Sequence, residues 1–316
     1  MPLHPQARSF LDLVAKKNAP PWESLAPSVS RSMFNGLTEF FGQGPELNDI
    51  SDKVIADKVP VRIYRPDSKP CLPAIMYFHG GGWVLGNIET HDAMCRHLAK
   101  DSGSMVISVN YRLAPEHPFP AAFDDCYEAT RYVSHHAAEL GVDPTHIAVA
   151  GDSAGGNLAA AVTLKAREEG TPNIHSQWLI YPVLEANFDT VSYKEFAIDH
   201  GLTRRTMQFF WDQYSKKKTD RSTAYAAPLK ADHLRDLPFT QIITAEYDVL
   251  RDEGEQFARL LKKAGVEVEL IQYDGMLHGF MHFAAAFDEG KRALAELGKA
   301  MNTRFGLGCK NHLNHT

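Results

Sequence analysis

Apolar residues recur along the chain in two alternating patterns from about residue 49 onward. Short continuous apolar runs such as Ala74–Phe78 are typical of strands that are buried on both faces of a parallel sheet. Between these runs lie longer stretches with apolar residues every three or four positions, which predict amphipathic helices. Strands that alternate with helices predict an α/β fold, with a mainly parallel sheet covered on both faces. The other predicted strands are Lys53–Asp57, Val59–Arg65, Met105–Val109, Thr145–Ala150, Trp178–Tyr181, Thr240–Ala245 and Val266–Tyr273, and the predicted helices lie near Glu89–Lys100, Ala121–His135, Asn157–Ala166, Glu253–Ala264 and Phe283–Asn302.

Two stretches depart from this alternation. Residues 1–48 contain no strand pattern, and two apolar stripes separated by Pro20-Pro21 predict two amphipathic helices. Residues 183–228 are too rich in aromatic side chains for a disordered linker. We expect the two stretches to form one helical cap beyond the carboxyl ends of the strands, where open parallel sheets bind ligands. The predicted organisation is a first cap part at 1–48, a first core part at 49–182, a cap insertion at 183–228 and a second core part at 229–316.

One predicted strand-to-helix junction carries a serine between glycines. Gly151-Asp152-Ser153-Ala154-Gly155 reads G-x-S-x-G, with the strand Thr145–Ala150 before it and the helix Asn157–Ala166 after it. In this context a sharp turn raises a serine hydroxyl above the sheet as a nucleophile. The glycines allow close backbone approach, and the helix start directs free N–H groups to the same place. Taken alone, the motif also fits a plain turn whose serine caps the helix.

A serine nucleophile needs a base and a group that orients that base. His278 follows the last predicted strand and Asp248 follows the strand before it, which gives the serine–acid–histidine order of hydrolases with this elbow. In such an arrangement His278 deprotonates Ser153 and later protonates the leaving alcohol, while Asp248 fixes the histidine tautomer. Asp252 and Glu246 are competing acids, but Asp252 lies one turn further on and Glu246 lies within the predicted strand.

A glycine-rich loop, His79-Gly80-Gly81-Gly82, follows the central strand. Attack on an ester carbonyl builds negative charge on oxygen, which preorganised N–H groups can receive. We expect the N–H groups of Gly81, Gly82 and Ala154 to form this oxyanion hole. A flexible glycine turn is the alternative for the loop alone. The residues expected to line the substrate pocket are Trp83, Phe34, Phe41 and Phe210.

Together these motifs resemble the hormone-sensitive-lipase-like family of α/β hydrolases, which includes many bacterial carboxylesterases. The resemblance implies an α/β-hydrolase fold with an eight-stranded, mostly parallel sheet and a helical cap. It implies a serine carboxylesterase that hydrolyses short- to medium-chain acyl esters through an acyl-enzyme, without metal or organic cofactor, and a possible homodimer. Proline often follows the acid in this family, whereas Val249 does so here. The segments that carry the resemblance are Val61–Pro66, His79–Trp83, Tyr111–Ala122, Gly151–Gly156, Asp248–Gly254 and His278–Phe280.

Composition narrows the choice of function. The chain has 316 residues, is 44% hydrophobic and carries a net charge of −6, which suits a large core and argues against a nucleic-acid partner. A mean hydropathy of −0.29 disfavours a long-chain lipase with an exposed apolar surface. No apolar run approaches the roughly 20 residues that span a bilayer. Without a signal-peptide pattern, and with four scattered cysteines, a cytoplasmic protein with free thiols is expected.

Two further functions remain compatible with the motifs. An amidase or deacetylase would use the same triad, because an amine leaving group also needs a proton from His278. A non-catalytic small-ligand receptor of the same fold would keep the cap, but the resemblance implies that such receptors replace the histidine, which is present here as His278.

Overall fold

The structure, a computed structural model, describes residues 2–307 and is built on an eight-stranded sheet. The strands are β1 (Asp49–Ile55), β2 (Val59–Arg65), β3 (Leu72–Phe78), β4 (Met105–Val109), β5 (Val142–Asp152), β6 (Ser176–Ile180), β7 (Phe239–Tyr247) and β8 (Val268–Leu277). Their order is β1-β2-β4-β3-β5-β6-β7-β8. β2 runs antiparallel to β1 and β4, and the remaining pairs are parallel. The expected α/β-hydrolase fold is therefore confirmed.

Helices cover both faces of the sheet. They are α1 (Pro5–Lys16), α2 (Pro27–Asn35), α3 (Thr38–Phe41), α4 (Asp92–Ser102), α5 (Ala121–His135), α6 (Ala137–Leu140), α7 (Ala154–Glu169), α8 (Val191–Glu195), α9 (Arg204–Tyr214), α10 (Arg251–Lys263) and α11 (Asp288–Arg304). Short 3-10 turns lie at Trp22–Ser24, Lys218–Ser222 and Pro228–Lys230. No helix within residues 2–307 is both long and apolar enough to cross a bilayer.

The central strand β3 shows why both faces must be covered. All seven of its residues are buried. Because successive side chains of a strand point to opposite faces, Ala74, Met76 and Phe78 join the core shared with α5, α7 and α10. Ile75 and Tyr77 join the core under α4 and α11. The continuous apolar run of β3 thus contributes side chains to the cores on both faces of the sheet.

The structure shifts some of the predicted boundaries. The second N-terminal helix is two helices, since α2 ends at Asn35 and α3 begins at Thr38 after a turn at Gly36. Strand β1 begins at Asp49, earlier than predicted, because Asp49 pairs with Arg65 of β2. Helix α11 begins at Asp288, because the apolar residues before it form turns buried beside the sheet.

Three thiols, Cys71, Cys95 and Cys126, are free, and Cys71 alone among them is exposed. Cys309 lies outside the described residues.

Candidate active site

The turn between β5 and α7 consists of a single residue. Strand β5 ends at Asp152 and helix α7 begins at Ala154, so Ser153 alone reverses the chain, with φ +55° and ψ −116°. This backbone region is rare for residues other than glycine and is found where neighbouring structure imposes it. Here the Ser153 N–H donates to Ile180 O at 2.8 Å, and Ser153 O accepts the Val183 N–H at 3.1 Å. The elbow is thereby held at both its amide and its carbonyl.

Close packing explains a glycine of the elbow motif. A Cβ atom on Gly155 would lie 1.8 Å from Phe78 O, so only glycine allows the start of α7 to pass the end of β3. This contact brings the serine turn beside the glycine loop that follows β3.

Three polar side chains meet at the carboxyl ends of β5, β7 and β8. The distance from Ser153 Oγ to His278 Nε2 is 3.0 Å, and that from His278 Nδ1 to Asp248 Oδ2 is 2.7 Å. The second oxygen, Asp248 Oδ1, accepts the Leu250 N–H at 2.9 Å. The Asp248 side chain is 1% exposed and that of His278 is 13% exposed. This hydrogen-bonded chain can pass the serine proton to an imidazole whose other nitrogen faces a buried carboxylate.

The competing acids have other partners. Glu246 Oε2 accepts the Gly275 N–H at 2.7 Å. Asp252 Oδ2 accepts the Ser192 N–H at 2.8 Å and so connects α8 to the first turn of α10. Of the three carboxylates, Asp248 is the one bonded to His278 Nδ1.

The glycine loop lies beside the elbow with unused donors. Within the described chain, the N–H groups of Gly81, Gly82 and Ala154 donate to no protein acceptor. Gly81 and Gly82 have positive φ angles of +112° and +61°. A Cβ atom on Gly82 would lie 2.3 Å from Phe210 Cγ, so glycine lets the Phe210 ring lie against the loop. The arrangement can present N–H groups to a developing oxyanion.

Asp152 belongs to a buried polar network that local motifs do not reveal. Its Oδ1 accepts the Tyr77 hydroxyl at 2.7 Å and the Gly80 N–H at 2.9 Å, and lies 3.4 Å from His91 Nε2. Burial opposes ionisation of this carboxyl, but its interactions with His91 and Tyr77 outweigh burial and hold its pKa below the ordinary value. A buried carboxylate therefore connects the elbow to the glycine loop.

His91, Asp152 and His282 place possible ligand atoms within 4.8 Å of one another, which raises the question of a metal site. The two imidazole rings stack at 4.0 Å with an interplanar angle of 4°. Imidazole lone pairs lie in the ring plane, so parallel stacked rings cannot direct both lone pairs at one ion. His282 Nε2 is also within 2.8 Å of Thr90 O. The geometry suits a stacked pair better than a set of ligands.

A cavity of about 260 Å³ opens over Ser153 and His278, and apolar side chains dominate its wall. Phe34 and Phe210, two of the four residues expected to line a substrate pocket, lie in the wall of this cavity. Phe41 does not line it, because its ring stacks on His282 at 4.3 Å behind the wall. Apolar residues of the wall that the sequence did not single out for this role include Leu13, Met33, Leu37, Leu202, Met207 and Phe283.

Trp83, predicted to line the pocket, instead lies fully buried beneath the glycine loop. Its ring stacks on Tyr214 of α9 at 4.1 Å with an interplanar angle of 4°. The backbone at Trp83 has φ +60°. The indole therefore supports the loop from the core and does not contact the cavity.

Comparison with known proteins supplies independent information on this arrangement. Residues 75–282 match a family described by the alpha/beta hydrolase fold. The carboxylesterase NlhH of Mycobacterium tuberculosis is 44% identical over 253 residues, which cover 77% of this chain and 79% of that protein. The ethyl acetate hydrolase of Pseudomonas putida is 34% identical over 316 residues, covering 95% and 99%. The solved structure of a hyperthermophilic esterase from Pyrobaculum calidifontis has a TM-score of 0.91 at 41% identity, covering 96% of this chain and 99% of that one.

Proposed function

The chain belongs to the hormone-sensitive-lipase-like family of α/β hydrolases and is a carboxylesterase, and from that premise we propose that Ser153, His278 and Asp248 are its catalytic triad. The observation that carries the proposal is the hydrogen-bonded chain from Ser153 Oγ through His278 to Asp248, at 3.0 Å and 2.7 Å, on the floor of an apolar cavity. These two hydrogen bonds alone are enough to support the choice of Ser153 as the nucleophile.

In the acylation step, His278 Nε2 takes the proton of Ser153 as Oγ attacks the ester carbonyl carbon. Asp248 stabilises the imidazolium that forms. The carbonyl oxygen becomes negative and receives hydrogen bonds from the N–H groups of Gly81, Gly82 and Ala154. When the tetrahedral intermediate collapses, the C–O bond to the alcohol breaks, and His278 returns the proton to the departing alcohol.

In the deacylation step, water takes the place of the alcohol. His278 removes a proton from the water as its oxygen attacks the acyl carbon, and the second tetrahedral intermediate again places its charge in the oxyanion hole. Cleavage of the bond to Ser153 Oγ releases the carboxylic acid and restores the serine hydroxyl with the proton from His278. His278 carries the proton in every transfer of both steps.

We propose short- to medium-chain acyl esters as substrates. A cavity of about 260 Å³ with a mostly apolar wall supports an acyl group of limited length. The relative from Pseudomonas putida, named for ethyl acetate, acts on a short ester and supports the same assignment. Residues 1–48 and 183–228 are proposed to form the cap, which is supported by cavity-lining residues from both stretches, Phe34 and Phe210 among them.

Hydrolysis of p-nitrophenyl esters from acetate to palmitate tests this proposal, with the wild type assayed beside Ser153→Ala. Activity that peaks at short to medium chains and is lost in Ser153→Ala is the expected result. Activity that persists in a folded Ser153→Ala variant would overturn the triad. An amide matched to the best ester separates an esterase from an amidase, because a faster amide reaction contradicts the ester assignment.

A further inference from the structure

The segment after β6 contacts both the nucleophile and the base. Ile180 O and the Val183 N–H bond the backbone of Ser153, as described above. Between them, the Tyr181 N–H donates to Ile243 O at 2.6 Å. The Tyr181 backbone has φ +35°, a value that is exceptional for a bulky residue. Such backbone conformations persist where surrounding contacts impose them, and they concentrate at functional sites.

This backbone conformation accompanies an aromatic contact with the base. The Tyr181 ring centroid is 4.8 Å from that of His278, with an interplanar angle of 59°. Tyr181 is 1% exposed, and on another side it contacts Phe280 at 5.9 Å. It is not among the described residues that line the cavity. Tyr181 can therefore act on His278 without contacting the substrate.

The two hydrogen bonds of the triad do not by themselves fix the orientation of the His278 imidazole ring. Its two nitrogens face Ser153 and Asp248, and these bonds fix two directions in the ring plane. An aromatic ring at the side of the imidazole restricts the remaining rotation. The negative face of an aromatic ring also attracts a cation within about 6 Å, and the imidazole becomes a cation in both steps of the reaction.

We propose that Tyr181 is a positioning residue, which holds the His278 imidazole between Ser153 and Asp248 and stabilises its protonated form. The proposal rests on the proposed function, since it gives His278 the role of base. The titratable groups that face His278 directly are Asp248, Ser153 and Tyr181. Asp152 and His282 lie in the next layer, around Tyr181.

The experiment compares Tyr181→Phe with Tyr181→Leu in the full-length protein. The phenylalanine keeps the ring and loses only a hydroxyl that makes none of the triad hydrogen bonds. We expect it to retain kcat within about threefold. The leucine removes the ring, and we expect kcat to fall about three- to thirtyfold with KM unchanged, which corresponds to the usual range of cation–π stabilisation. The acid limb of the kcat/KM profile should move to lower pH in Tyr181→Leu, because the imidazolium loses a stabilising neighbour.

Phe257→Leu is the matched control, since Phe257 is a fully buried ring in the middle of α10 and not in the loop that bears Asp248. It should lower thermal stability and leave the acid limb in place. Tyr181→Met serves as a second ring-free variant if the leucine variant does not fold.

Three outcomes would overturn the proposal. The first is a ring-free variant with wild-type kcat and an unmoved acid limb. The second is a phenylalanine variant as impaired as the ring-free ones, which assigns the effect to the hydroxyl. The third is an effect on KM alone, which assigns it to substrate binding. Ser153→Ala, assayed in parallel, distinguishes failure of the Tyr181 proposal from failure of the proposed function. If Ser153→Ala is inactive while the Tyr181 variants behave as wild type, only the Tyr181 proposal fails. If Ser153→Ala is active, the proposed function fails, and the proposal built on it fails too.

Discussion

The carboxylate of Asp152 accepts the backbone N–H of Gly80 at 2.9 Å, so the strand end that bears Ser153 is hydrogen-bonded to the loop that bears the proposed oxyanion donors. Gly81 and Gly82 follow directly in that loop. The orientation of their N–H groups relative to Ser153 therefore depends on the buried side chain of Asp152, which is not itself one of the proposed triad residues.

Replacing Asp152 should weaken the stabilisation of the transition state more than it weakens substrate binding. Asp152→Ala removes the acceptor for Gly80 and Tyr77, and we expect kcat to fall about 10²-fold, as when an oxyanion donor is lost, with KM little changed. Asp152→Asn keeps an acceptor oxygen and should lie between alanine and wild type. Steady-state kinetics on one short ester measures both. An alanine variant with wild-type kcat would show that the loop holds its conformation unaided.

Replacing Asp248 should reduce turnover far more than replacing a neighbouring carboxylate. Asp248→Asn can bond the wrong tautomer of His278 and cannot stabilise its cation, so we expect kcat to fall on the order of 10³- to 10⁴-fold. Asp252→Asn is the control, because Asp252 bonds the Ser192 N–H and not the triad. It should keep kcat within a few-fold. Equal losses in the two variants would mean that the loop conformation, and not the charge beside His278, governs the rate.

Phe34 and Phe41 form a matched pair, because their ring centroids are 5.6 Å apart but only Phe34 of the two lines the cavity. Phe34→Ala should shift the preferred acyl chain to longer esters by enlarging the cavity. Phe41→Ala should cost about 3–5 kcal/mol of unfolding free energy, as for a buried ring, and leave the chain-length optimum unchanged. Chain-length profiles and urea unfolding measure the two effects. The same shift of profile in both variants would contradict the assignment of the cavity wall.

The stability of the protein should decline on acidification because of a buried histidine. Burial, aided by the nearby His91, lowers the pKa of His282 to about 3. In the unfolded chain a histidine titrates near 6.5, so between these pH values the unfolded state binds more protons and stability falls as pH falls. His282→Phe removes this proton uptake. We expect the wild type to lose about 1.4 kcal/mol more per pH unit than the variant within that window.

Urea unfolding of both proteins at several pH values from neutral down to about 4.5, inside that window, measures the difference in slope. The slope is the readout, because the substitution also changes stability at every pH by altering the stack on His91 and Phe41. Parallel pH dependences would show that His282 does not remain neutral in the folded protein.

Local sequence patterns predicted those parts of the molecule that depend on neighbours in the chain. The bounds of Val59–Arg65, Met105–Val109 and Ala121–His135 agree with the structure, because each has a clear period bounded by turn residues. The proposed triad residues could be named because each follows a strand, and parallel strands bring their ends to one edge. The eight-stranded sheet came from the family resemblance, not from periodicity.

The remaining features depend on contacts between distant parts of the chain. His282 meets Thr90 across 192 positions, and no local period signals such a contact. Trp83 could have turned toward the cavity or the core, and the choice depends on Tyr214 in a helix more than a hundred residues away. The aromatic residues of the cap could be recognised as packed, but their division between cavity wall and second layer required the fold.

The separation along the chain between the proposed nucleophile and the proposed base has a consequence for biosynthesis. Ser153 and His278 are 125 positions apart, and His278 follows β8, the edge strand that pairs last in chain order. A growing chain that has emerged only as far as α10 contains Ser153 and Asp248 but not His278, the proposed base. Contacts this distant in sequence form slowly, since loop closure precedes the stabilisation they provide. On the proposed mechanism, ester hydrolysis begins only after β8 is in place, and the appearance of activity during refolding reports the arrival of His278 beside Ser153.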